Sequence, residues 1–302
     1  MAPRDAPVRR TRRGPHAHHR PCRTGPREIA SGGGDRAVTV ELGELSGAWN
    51  FRDVAEITAI RPGLLYRSSQ LSQLSDDGRA VFRRLGITDV ADLRSHQEVQ
   101  RQGTGQVPDG VAVHLLPFHP DDPSNDAPHE STFQRVMSES AEGEDIATAA
   151  RRYMTEVYEE FPTLPGAHSA VREVISLLGQ ERPVLAHCFA GKDRTGFTVA
   201  TVLESVGVDR DRIFEDFLAS NGAIPSLRNR IMESVRARAQ EAPEMITFAE
   251  ARLTDEVLGV REEYLAAAWK KLDEAYGSVG GFFEAAGVTA DELAALRAGL
   301  VG

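Results

Sequence analysis

His187-Cys188-Phe189-Ala190-Gly191-Lys192-Asp193-Arg194-Thr195-Gly196 decides how this chain is read. A mostly apolar run, Pro183-Val184-Leu185-Ala186, enters it, and a helix-compatible run, Phe197-Thr198-Val199-Ala200-Thr201-Val202-Leu203, leaves it. The pattern predicts a strand, a loop and the start of a helix. The first N–H groups of a helix lack intrahelical partners and carry partial positive charge, so such a junction is an anion site.

Cys188 opens the loop, and Arg194 closes it after five intervening residues. A loop of that length can wrap a tetrahedral oxyanion with its backbone N–H groups turned inward. The arginine fork can hold two phosphate oxygens. The sulfur of Cys188 then lies in line with the leaving oxygen, and the positive surroundings favour the thiolate. The spacing therefore points to phosphoryl transfer onto sulfur, followed by hydrolysis of the phosphocysteine. Phe189, Ala190, Gly191, Lys192, Thr195 and Gly196 are the expected substrate-binding residues. Gly191 lets the backbone approach the anion, and Gly196 allows tight packing at the helix start. Lys192 adds a second cation at the loop mouth, which would favour multiply charged substrates. The Thr195 hydroxyl can stabilise the sulfur as it leaves. The plain alternative is a buried structural cysteine beside an ordinary turn. The preceding His, the two glycines, Lys-Asp and the following Thr argue against it.

The segment resembles the signature loop of the protein tyrosine phosphatase superfamily, in a Lys-Asp-Arg variant. Further stretches resemble a secreted bacterial branch of it. They are Gly47-Ala48-Trp49-Asn50-Phe51-Arg52-Asp53-Val54, Arg67-Ser68-Ser69, Gly86-Ile87-Thr88-Asp89-Val90-Ala91-Asp92-Leu93-Arg94-Ser95, Val257-Leu258-Gly259-Val260 and Tyr264-Leu265. The resemblance runs from about residue 41 to the C-terminus. It implies a phosphotyrosine-directed phosphatase that needs no metal or cofactor. The Lys192-Asp193 pair resembles that of phosphoinositide-directed members, so phosphoserine, phosphothreonine and phosphoinositides are also open as substrates. The competing classes are a thiol peptidase or redox enzyme using Cys188, and a phosphate-binding module without turnover.

The resemblance also implies a general acid on a mobile loop. Pro117 to Glu130 is dense in carboxylates and prolines, and Asp121 is the candidate there. Asp193, one residue before the arginine, is the other candidate and the preferred one. A solvated acidic loop is the ordinary reading of the first.

Bulk properties agree with a globular enzyme. The chain has 302 residues, of which 41% are hydrophobic and 26% charged, so a sizeable core can form. A formal net charge of -10 argues against general nucleic-acid binding. The two cysteines, Cys22 and Cys188, do not suggest a disulfide scaffold. No apolar run is long enough to span a membrane. Residues 1–39 read as a disordered basic tail, rich in Arg, Pro and Gly. Its paired arginines are not followed by an apolar segment, so a twin-arginine signal is rejected. That favours the cytoplasm, while the resemblance argues for secretion without a recognisable signal peptide.

Residues 40–302 are expected to form one α/β domain with a mainly parallel central sheet flanked by helices. The strands are read at Leu64 to Arg67, Ile87 to Leu93, Val111 to Phe118 and Val184 to His187. Ser75 is read as the cap of a helix through about Leu85. Further helices are read at Ala147 to Phe161, Gly166 to Leu178, Thr195 to Val206, Asp211 to Ala219, Arg261 to Tyr276 and Ala290 to Leu300. The signature loop then sits at the carboxyl edge of the sheet. Asn50, Arg52 and Asp53 form a polar cluster, read as a buried Arg–Asp pair in preference to a substrate contact; Arg94 poses the same choice. Residues 221–260 read as an amphipathic helical pair, with Leu227, Ile231 and Val235 four residues apart. The resemblance implies a lid over the site; an ordinary packed helical pair is the equal alternative. The folded region has no zinc-type spacing, and Gly191-Lys192 does not continue into a Walker loop.

Overall fold

Strand β5, Val184–His187, is the middle strand of a five-stranded sheet in the computed structural model, which describes residues 45–119, 144–238 and 244–302. The others are β1 (Arg52–Asp53), β2 (Leu65–Ser68), β3 (Asp89–Asp92) and β4 (Ala112–Leu115), in the order β1-β2-β5-β3-β4. Only β1 runs antiparallel to its neighbour. Ser68 and Asp92 both stand level with His187, so the strands end together at one edge. Cys188 is the next residue beyond that edge.

Both faces of the sheet are covered, as parallel sheets require. Leu65, Ala91, Val184 and Ala186 turn into the larger core with Phe118, Tyr158, Ile175, Phe197 and Phe282. Their alternates Tyr66, Val90 and Leu185 turn into a smaller core with Leu71, Leu74, Val81 and Phe82. Side chains one residue apart on a strand face opposite ways, so each strand feeds both cores.

The helices are α1 (Ala55–Thr58), α2 (Asp76–Arg84), α3 (His96–Gln102), α4 (Ile146–Glu160), α5 (Pro165–Gly179), α6 (Asp193–Ser205) and α7 (Arg210–Ala219). They continue with α8 (Ile224–Arg238), α9 (Glu244–Arg252), α10 (Asp255–Leu258), α11 (Glu262–Tyr276), α12 (Val279–Ala285) and α13 (Ala290–Val301). The hydroxyl of Ser75 caps α2 by accepting from the Gly78 N–H. The α/β architecture and all four expected strands are present. The strand expected at Val111 to Phe118 is shorter because β4 is an edge strand whose sole neighbour among the described residues, β3, ends at Asp92. Helix α6 starts two residues earlier than expected, which places Asp193 and Arg194 in its first turn. Helix α3 was not foreseen. Ser95 and Glu98 build a capping box that starts it directly after β3.

The segment expected as a lid forms α8, α9 and α10. Their apolar sides meet in a separate cluster of Leu227, Met232, Ala249, Leu253 and Leu258. Ala190 of the signature loop belongs to the same cluster, and Phe189 packs against it. These helices therefore cover the loop directly. Among the described residues, no helix is long and apolar enough to cross a membrane. The readings for the basic tail and for Asp121 lie outside the described residues.

Candidate active site

Cys188 has no exposed surface. The loop after it is shaped by what its carbonyl groups are made to do. The Phe189 carbonyl accepts from the Gln70 N–H at 3.0 Å. The Asn50 amide donates to the carbonyls of Ala190 at 3.1 Å and Gly191 at 3.0 Å. A second donor, Arg67 Nη2, reaches the Gly191 carbonyl at 2.8 Å. Three successive carbonyls are thus tied away from the loop centre. In a trans peptide the N–H points opposite to the C=O, so the N–H groups of Ala190, Gly191 and Lys192 turn inward. Among the described residues, the backbone N–H groups of Ala190, Gly191, Lys192 and Thr195 have no protein acceptor. This arrangement can cradle an anion, with the open first turn of α6 continuing the row of donors.

Gly191 is needed here for two reasons. Its φ is +69°, and a Cβ would lie 2.1 Å from the Ser68 carbonyl oxygen. Gly196 meets the ring of Phe217, 2.7 Å from where its Cβ would stand.

Arg194 is held by Glu98, a residue the sequence reading missed. Nη1 donates to Glu98 Oε2 at 2.6 Å, and Nη2 donates to Oε1 at 2.8 Å. Nη1 also donates to the Leu93 carbonyl at 3.0 Å. Glu98 and Leu93 thus take three of the five guanidinium hydrogens. Burial opposes the charge, but Glu98, then Cys188 and Asp193, outweigh it and hold the guanidinium pKa above its ordinary value. The signal for Glu98 was in the sequence: Ser95-x-x-Glu98 is a capping-box pattern.

Asp193 and Lys192 face each other. The Lys192 ammonium donates to Asp193 Oδ1 at 2.8 Å and to the Gly259 carbonyl at 3.2 Å. Its 6% exposure leaves the charge in need of partners, and these two acceptors supply them. The phenol of Tyr158, on α4, donates to the same Oδ1 at 3.0 Å.

The polar cluster near residue 50 is structural, with a different partner from the one expected. Arg52 pairs with Asp216 of α7 at 2.7 Å, and Asp216 also pairs with Arg67 at 2.6 Å. Asp53 instead accepts from the N–H groups of Ala55 and Gly63. The chain bends back on itself there, and the two N–H groups lie closer to Asp53 than Arg52 does. Burial opposes ionisation of Asp216, but Arg67 and Arg52 more than offset it and hold the carboxyl below 3.8. Burial and the charge of Arg67 push Arg52 down to about 10, so it stays charged near neutrality. Arg94 is also structural: it is bidentate on Asp92 at 2.9 and 2.7 Å.

His187 donates from Nδ1 to the Cys188 carbonyl at 3.0 Å, and burial lowers its imidazole pKa, so the ring is neutral. The Thr195 hydroxyl is fully buried and has no partner among the described residues. His119 is the last described residue before the acidic loop; burial and the charge of Arg194 lower its pKa.

Comparison with known proteins agrees with this geometry. The sequence profile described as "Tyrosine phosphatase family" matches residues 43–302. The chain is 56% identical to "Triple specificity protein phosphatase PtpB" of Mycobacterium tuberculosis over 272 residues, covering 86% of this chain and 99% of that one. A candidate tyrosine-protein phosphatase of Cupriavidus necator is 28% identical over 79% of this chain and 77% of its own. A tyrosine-protein phosphatase of Nostoc commune is 26% identical over 54% of this chain and 50% of its own. With its loop, fold and sequence in agreement along nearly its whole length, this chain belongs to the tyrosine phosphatase family.

Proposed function

We propose that the protein is a phosphomonoesterase working through a phosphocysteine intermediate, with phosphotyrosine as its first substrate class. Phosphoserine, phosphothreonine and phosphoinositides are further substrates. The observation that carries the proposal is the row of outward-tied carbonyls from Phe189 to Gly191, which turns three N–H groups toward one centre beside Cys188. The breadth of substrates is supported by the relative from Mycobacterium tuberculosis, whose name states triple specificity.

In the first step the Cys188 sulfur attacks phosphorus and the bond to the leaving oxygen breaks. The inward N–H groups and Arg194 hold the other phosphoryl oxygens, where negative charge is concentrated in the transition state. Asp193 gives a proton to the leaving oxygen. In the second step Asp193, now ionised, takes a proton from water as the water attacks phosphorus. The phosphorus–sulfur bond breaks, and the Thr195 hydroxyl donates to the departing sulfur. Asp121 is the alternative acid. We further read helices α8 to α10 as a lid over this site, because their apolar cluster takes in Ala190 and packs against Phe189 of the signature loop.

Turnover of p-nitrophenyl phosphate by the reduced protein tests this reading. Inhibition by vanadate and indifference to chelators are expected. Folded, reduced protein that binds vanadate without turnover would be a phosphate-binding module, and insensitivity to vanadate would point to another thiol chemistry.

A further inference from the structure

Tyr158 sits in the last turn of helix α4, far in sequence from the signature loop and with no exposed surface. Its ring packs against Phe161, Phe217 and Tyr264, with centroids 5.0, 5.9 and 5.7 Å away. Nothing in that apolar surround accepts a hydrogen bond from the phenol. Its one partner among the described residues is Asp193 Oδ1, at 3.0 Å. A buried hydroxyl is costly without a partner, so the contact is specified, and the four-ring cluster fixes where the oxygen stands.

The consequence concerns Asp193. Two donors, the phenol and the Lys192 ammonium, converge on Oδ1. Oδ2 receives no hydrogen bond from the described residues. A proton on Oδ1 would face an ammonium and a hydroxyl that already donate to it, so the protonated carboxyl carries its hydrogen on Oδ2. We propose that Tyr158 is a positioning residue for phosphoryl transfer: with Lys192 it holds Oδ1 and so makes Oδ2 the oxygen that exchanges protons with the leaving group and with water. Burial, then the charge of Asp193, pushes the phenol pKa well above its ordinary range, so the hydroxyl keeps its proton and donates throughout. The other charged or titratable groups around the pair are Cys188 and Arg67 near the phenol, and Arg194 and Tyr264 near the carboxylate. The proposal rests on the reading of Asp193 as the acid.

The test compares Tyr158→Phe with Asp193→Asn on an alkyl phosphate and on p-nitrophenyl phosphate. The phenyl ring keeps the aromatic cluster filled, and vanadate affinity within twofold of wild type reports an intact loop. For Tyr158→Phe, kcat should fall about 10-fold on the alkyl phosphate and less than about threefold on p-nitrophenyl phosphate, because only the poor leaving group needs the proton. Leaving-group dependence in Asp193→Asn but not in Tyr158→Phe would overturn the positioning role and leave the acid assignment standing. Its absence from both would overturn the acid assignment, and the role of Tyr158 with it. If Tyr158→Phe loses vanadate binding, Tyr158→Leu and Phe161→Leu are compared. Equal damage from these two would make Tyr158 a core residue and overturn the proposal.

Discussion

Glu98 grips both terminal nitrogens of Arg194, at 2.6 and 2.8 Å, while its Oε2 also accepts from the Ser95 N–H. One carboxylate thereby starts helix α3 and fixes the arginine of the signature loop. Removing one partner of a buried pair strands the other charge, at a cost of about 3–5 kcal/mol. Glu98→Gln should lose stability on that scale. Its kcat/KM on p-nitrophenyl phosphate should fall by about 10- to 100-fold as the guanidinium loses its alignment. Denaturant midpoints and steady-state kinetics check both, and unchanged activity would show that the loop orients Arg194 unaided.

Gly191 and Gly207 separate close approach from backbone strain. Both have positive φ, +69° and +81°, but a Cβ on Gly207 meets nothing within 4 Å, whereas one on Gly191 meets the Ser68 carbonyl. Gly207→Ala should cost about 1–2 kcal/mol and leave activity intact. Gly191→Ala should displace the cradle and lower activity by at least about 100-fold. Similar activity losses in the two variants would contradict this account of the loop.

Lys192 is tied to Asp193 and to the Gly259 carbonyl, so under the proposed mechanism its first effect is on the proposed acid. Lys192→Ala should therefore lower kcat on a phosphoserine peptide and on a phosphoinositide, which are both alkyl phosphates, by similar factors. A loss confined to the phosphoinositide would restore the selectivity role that the bare sequence suggests.

Asp216 carries the charges of Arg52 and Arg67. Its folded-state pKa lies below the ordinary 3.8, so its contribution is fully present above that value and is lost as pH falls through the folded value. Wild type should exceed Asp216→Asn in stability at neutral pH by about 3–5 kcal/mol, the scale for stranding a buried charge. The gap should close as the pH drops below about 3.8. Urea midpoints measured across that range check the sign; a gap that widens on acidification would be inconsistent with the triad.

The parts legible in the sequence were those written locally. Val184–His187 and the helix that follows could be read because a short apolar run, a loop and a second periodic run are contiguous. The Ser75 cap was legible for the same reason. What escaped was long-range pairing. Arg52 finds its carboxylate 164 positions away, and Tyr158 reaches Asp193 from 35 positions away. Neither leaves a periodic trace. Glu98 is the intermediate case: its capping box was visible, but its second duty toward Arg194, 96 positions on, was not. Lys192 was readable as a cation, but its partners Asp193 and the Gly259 carbonyl were not, because spacing says nothing of what a side chain turns toward.

The central claim is that Cys188 becomes phosphorylated during turnover. Reduced protein should be mixed with p-nitrophenyl phosphate, quenched in acid within the first turnovers and digested for mass spectrometry. The account predicts one phosphoryl group on the peptide that carries Cys188, absent from Cys188→Ser, which still binds vanadate but has lost at least about 1,000-fold in turnover. Turnover near wild type in Cys188→Ser, or rapid turnover with the label on another residue, would contradict it.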